Sequence, residues 1–129
     1  MPSTRLAVAP MIERVLAAVR GSGLSLEQRD NLAVAVAEAL SNAVLHGNKL
    51  APRRVVRVIV EVPVSGGAVV EVTDSGVGFD SAKVSDPTDP ARVLMPGGRG
   101  VFLMKRLVDH LQYNAAGNTV RLTMDAPKK

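Results

Sequence analysis

The chain has 129 residues, 47% of them apolar, a formal net charge of +4 and no cysteine. That length suits one domain with a substantial core, and the composition excludes a disordered segment, a disulfide framework and a thiolate zinc site. Phe79, Phe102 and Tyr113 are the whole aromatic set, so the core must be built from Val, Leu and Ala, and a base-stacking nucleic-acid platform is not expected.

The N-terminal stretch MPSTRLAVAPMIERVL has no charged leader followed by a long apolar run, so no secretory signal is expected. Residues 8–20 place Met11, Val15, Ala18 and Val19 on one face, with Glu13, Arg14 and Arg20 opposite, which predicts a first amphipathic helix. Gly21-Ser22-Gly23 ends it. Ser25 followed three residues later by Gln28 is a capping-box pattern, and it opens a second helix over residues 26–47. Gly47 and Asn48 are good terminators. Arg54 to Val62 is β-branched and predicts a strand, and Ala68 to Thr73 predicts its hairpin partner across Ser65-Gly66-Gly67. Residues 81–97 carry Pro87, Pro90 and Pro96 with no clean period, which predicts a long loop of a kind that usually has a function. Val101 to His110 predicts a third helix, and Leu111–Ala115 with Asn118–Met124 predicts a closing hairpin around Ala116-Gly117. No apolar stretch is long enough to cross a membrane, so a cytoplasmic location is expected. The basic residues are scattered, as on a solvated surface, though some could meet phosphates or an acidic protein.

The second helix holds the most informative pattern. Glu38, Asn42 and His46 are spaced i, i+4, i+8 in an otherwise apolar run, with Ser41 bordering them. Positions four apart on a helix lie nearly in line, so one buried helix carries one polar seam. A buried carboxylate is costly without a partner, and no Lys or Arg lies within one turn of Glu38 on this helix. A polar cavity facing the seam would resolve the conflict, and a carboxylate beside an amide oxygen suits a hydrated metal-phosphate ligand. Two further segments are weak alone. Asp74-Ser75-Gly76-Val77-Gly78 leaves a strand end with a carboxylate and two glycines, which is also a common turn composition. Gly97-Gly98-Arg99-Gly100 opens the third helix, whose N-terminus is a ready anion site. No Gly-x-x-x-x-Gly-Lys-Ser/Thr motif is present, so the chain is not a P-loop enzyme.

In this order, Glu-x-x-x-Asn, then Asp-x-Gly-x-Gly, then a glycine-rich helix start, the set resembles the GHKL ATP-binding domain of DNA gyrase, histidine kinases, heat-shock chaperones and mismatch-repair ATPases. The likeness covers residues 8–125. Within that group EALSNAVLHGN and GGRGVFLMKRLVD resemble the stand-alone anti-sigma-factor serine/threonine kinases. The resemblance implies a Bergerat-type α/β fold over 1–129 as a single domain. In that α+β two-layer sandwich a mixed, mostly antiparallel sheet is covered on one face by about three helices. It implies Glu38 as the catalytic carboxylate and Asn42 as the Mg²⁺ ligand. Asp74 would accept from the adenine amino group, with Gly76 and Gly78 giving space. Gly98, Arg99, Gly100 and Val101 would wrap the ATP phosphates, and Thr119 would help fix Asp74 and the base. His46 either approaches a phosphate or caps the packing at the helix end.

The implied function is an ATP-dependent protein-serine/threonine kinase in a partner-switching system, with a sigma factor and an antagonist protein as partners. The alternative is a nucleotide sensor or ATPase with little kinase activity. Direct nucleic-acid and membrane partners are not expected. The family often has a strand before its first helix. Here the first helix follows almost at once, which weakens the expectation of a homodimer. Asn118 replaces the glycine common before the late threonine.

Overall fold

The computed structural model describes residues 1–48, 54–75 and 98–127; within these, the side chains of residues 46–47 and 98–100 are left aside. Among the described residues three α-helices form, α1 Val8–Ala18, α2 Leu26–Asn42 and α3 Gly98–Leu107, the last ending short of His110, which the sequence placed in the helix and which instead opens a strand. Four strands accompany them: β1 Arg57–Glu61, β2 Ala68–Thr73, β3 His110–Tyr113 and β4 Thr119–Met124. The sheet order is β1-β2-β4-β3, and all three pairings are antiparallel. The expected parallel component is therefore not seen among the described residues.

Alternation along the strands decides which face meets the helices. Val70 and Val72 of β2 and Val120, Leu122 and Met124 of β4 are buried. Glu71 and Arg121, opposite each other in register, lie on the other face and form an ion pair at 3.7 Å. Leu32, Ala35, Val36, Ala39 and Leu40 of α2 are sealed in the same core. Helix α2 is central: it packs against α1, α3, β2 and β4. Burying each of its larger apolar side chains contributes about 1.5–3 kcal/mol, which adds to the good helix propensity of its Ala and Leu residues.

The ends of α2 differ. Its N-terminus carries the capping box predicted from sequence: the Gln28 amide N–H donates to Ser25 Oγ at 3.1 Å, and the Ser25 N–H donates to Gln28 Oε1 at 3.0 Å. Its C-terminus does not stop at a left-handed residue. The helix widens after Asn42 into a π-type turn over Ala43–Gly47, closed by a bond from the Asn48 N–H to the Ala43 carbonyl at 2.8 Å. The sequence reading expected regular α-helix through residue 47. Single π turns of this kind recur at functional sites.

An unexpected short pairing precedes α1. The Val56 N–H donates to the Met1 carbonyl at 2.9 Å, and Pro2 bridges Val55 in antiparallel fashion. The leading residues thus pair with the segment just ahead of β1.

Candidate functional site

One end of the sandwich gathers the C-terminal ends of α2, β2 and β3 and the start of β4. Glu38 and Asn42 lie there, one turn apart on α2. Both are half-buried, as is Ser41, while their neighbours Ala39 and Leu40 are 3% and 0% exposed. The seam is therefore open rather than sealed under methyl groups. Among the described residues the ion pairs are His110–Asp125 and Arg121–Glu71, and Glu38 is in neither. Asn42 makes no capping bond with its side chain. Among the described residues, then, neither the Glu38 carboxylate nor the Asn42 amide is committed to an ion pair or a cap. His46 falls within the π turn, whose wider pitch breaks the simple i, i+4, i+8 alignment; its side chain lies outside the description.

Asp74 follows β2 directly. Its N–H donates to the Asn118 carbonyl at 2.9 Å, which extends the β2–β4 ladder by one residue. By alternation from Val70 and Val72, Asp74 emerges on the helix-facing side of the sheet. It is half-buried, at the same end as Glu38 and Asn42. Gly76 and Gly78 lie outside the described residues, as does the long loop over residues 81–97.

Helix α3 begins at Gly98, earlier than the sequence reading placed it. Gly98, Arg99, Gly100 and Val101 are therefore its first four residues, whose N–H groups lack partners within the helix. The Val101 side chain is 1% exposed and belongs to the core, so only its backbone is available to a ligand. Helix α3 packs against α2, the helix that carries Glu38 and Asn42.

Thr119 opens β4 beside the end of β2. Its Oγ1 lies 2.9 Å from Thr73 Oγ1. Both residues alternate with buried Val120 and Val72, so they occupy the sheet face away from the helices. The pair ties β4 to the residue just before Asp74.

Two contributors were missed from sequence. Tyr113 stands opposite Val120 in register, partly buried against the core at the site end. Burial pushes its phenol well above the ordinary range, and the Asp74 carboxylate adds to the rise. Sequence gave no sign of this beyond a lone tyrosine at a strand end. The second is Asn48, whose side chain is fully buried and hydrogen-bonded; its position after Gly47 suggested only a helix stop.

The histidine kinase-like ATPase domain family matches residues 1–124. This chain belongs to that family. It is 32% identical over 101 residues to the serine-protein kinase RsbW of Oceanobacillus iheyensis, covering 71% of this chain and 61% of that protein. It is 30% identical over 89 residues to an anti-sigma F factor of Clostridium botulinum, covering 67% of this chain and 62% of that protein. Each match thus spans less than two thirds of the relative's length. Membership of an ATPase-domain family implies nucleotide binding. No helix among the described residues is long and apolar enough to cross a membrane.

Proposed function

We propose that this chain is an ATP-dependent serine/threonine protein kinase that acts as an anti-sigma factor by partner switching. In this reading it holds a sigma factor inactive and phosphorylates a serine on an antagonist protein. The observation that carries the reading is the open, uncommitted Glu38–Asn42 pair on a helix otherwise buried in the core. The names of the similar proteins support the choice of acceptor and partners.

The chemistry follows from the residues present. The acceptor serine Oγ attacks the γ-phosphorus of ATP, the bond to the β-γ bridging oxygen breaks, and ADP leaves. Glu38 orients the hydroxyl and takes its proton. Asp74 accepts a hydrogen bond from the adenine amino group, with Gly76 and Gly78 leaving room for the base. The first-turn N–H groups of α3, from Gly98 to Val101, face the phosphates, and Arg99 supplies positive charge. Thr119 supports the end of β2, and His46 is assigned to the same end of the cleft.

The donor set fits Mg²⁺, a hard cation that takes oxygen ligands and enters largely with the phosphates. Asn42 Oδ1 is such a donor and is not engaged in capping. When bound, Mg²⁺ would neutralise phosphate charge.

The test is calorimetry with ATP and Mg²⁺, followed by transfer of label from ATP to a serine of the antagonist. Glu38→Ala should retain ATP binding and lose transfer by about 10²–10⁴-fold. ATP binding by the unmodified protein without transfer would point instead to a nucleotide sensor. Steady phosphate release without any acceptor would point to an ATPase.

A further inference from the structure

Asn48 is 0% exposed and joins three separate segments. Its N–H donates to the Ala43 carbonyl at 2.8 Å and closes the π turn. Its Nδ2 donates to the Val55 carbonyl at 3.0 Å, just ahead of β1. Its Oδ1 accepts the Ser75 N–H at 2.8 Å. The two side-chain partners fix the amide orientation, because a flipped amide would set donor against donor and acceptor against acceptor.

The backbone does not explain this residue. Asn48 has φ −91° and ψ −4°, outside the left-handed region where Asn is chosen to end helices. The side chain is what the position requires. Asp lacks the donor for Val55, and Ser or Ala cannot span both partners.

The Ser75 N–H belongs to the peptide that follows Asp74. Since peptides are planar, holding that N–H holds the orientation on the C-terminal side of Asp74. The preceding peptide is held by the bond from the Asp74 N–H to the Asn118 carbonyl. Asp74 is thus pinned on both sides, once by β4 and once by the extension of α2. The second pin comes from the element that carries Glu38 and Asn42.

We propose that Asn48 is a positioning residue that places Asp74, and so the nucleotide base, in register with the phosphate-handling groups of α2. This rests on the reading of Asp74 as the base acceptor. The bond pattern makes it a specificity device: it governs base recognition and leaves phosphate binding alone.

The test measures affinities for ATP, GTP and inorganic tripolyphosphate, each with Mg²⁺, in the unmodified protein, Asn48→Ala and Asn48→Asp. In Asn48→Ala the preference for ATP over GTP should fall about tenfold, while tripolyphosphate affinity holds within about twofold. Asn48→Asp keeps the acceptor for Ser75, so it should retain more of that preference. Asp74→Asn should cost ATP affinity in the unmodified background and little in the Asn48→Ala background, because interacting sites are not additive. An unchanged ATP-to-GTP ratio, or equal losses for ATP and tripolyphosphate, would overturn the proposal. Hydrogen exchange of the Ser75 amide in the unmodified, nucleotide-free protein tests the bracket independently of any variant's folding. Slow exchange is expected, and fast exchange overturns the proposal. An unmodified protein that binds none of the three ligands overturns the functional reading itself. Slow Ser75 exchange in that case makes Asn48 purely architectural, which also overturns the positioning role.

Discussion

The two ends of α2 are built on opposite plans. At the N-terminal end a set of hydrogen bonds fastens the helix start to its neighbours. Gln28 completes the cap and also donates through Nε2 to the Asp125 carbonyl at 2.9 Å. The Gly67 N–H donates to the Ser22 carbonyl at 2.9 Å, and the Asp125 N–H donates to Asp109 Oδ2 at 2.7 Å. At the C-terminal end Glu38 and Asn42 stay half-open on the helix, and order comes from residues behind them: Asn48, the Asn118 carbonyl and the Thr73–Thr119 pair. A helix can thus be fastened at one end and present chemistry at the other. Stability and function should respond to different substitutions.

The largest effect should come from the fastened end. Gly67 has φ +84°, and a Cβ there would stand 2.5 Å from the Met124 carbonyl oxygen. Gly67→Ala should destabilise the fold by about 1–3 kcal/mol from backbone strain alone, read as a lower denaturant midpoint, with ATP affinity of the folded fraction unchanged. A loss of affinity without a loss of stability would break the division between the ends.

Next is Asp74→Asn at the open end. Replacing the acceptor should weaken ATP binding about 10- to 100-fold by calorimetry, while the thermal midpoint moves little. The Asp74 backbone bond to Asn118 survives the change, since it involves only the main chain. A smaller effect is expected from Ser25→Ala, which removes the acceptor of the Gln28 N–H. It should cost about 1 kcal/mol of stability and leave nucleotide affinity alone.

The finest probe is Tyr113, the single tyrosine of a chain without tryptophan. Its phenol is raised by burial first and by Asp74 second. Tyrosinate absorbance should therefore appear above the ordinary phenol range of about 10. The sign is fixed by linkage. A group whose folded pKa exceeds its unfolded value adds stability below the unfolded pKa, and this is lost as pH rises toward the folded one. Asp74→Asn should lower the Tyr113 pKa part of the way, leaving the burial contribution in place. No movement at all would separate Tyr113 from Asp74 and shrink the site.

Much of this molecule was legible in one dimension because short-range physics writes short-range patterns. The Ser25–Gln28 cap, the apolar face of α1 and both hairpins depend on residues a few positions apart, and they form where periodicity and turn chemistry place them. The polar seam was legible for a related reason: a carboxylate in an apolar helix conflicts with burial unless a cleft adjoins it. Other features depended on which distant segments meet. The face on which Thr119 lies follows from β4 pairing with β2. The widening of α2 into a π turn and the use of Asn48 follow from Val55 and Ser75 standing beside it. The elevation of the Tyr113 phenol follows from its burial next to Asp74. Sequence by itself determined the helices, the strands and the three motifs. Only the tertiary structure decided which backbone groups pin Asp74, since long-range hydrogen bonds leave no periodic trace in the chain.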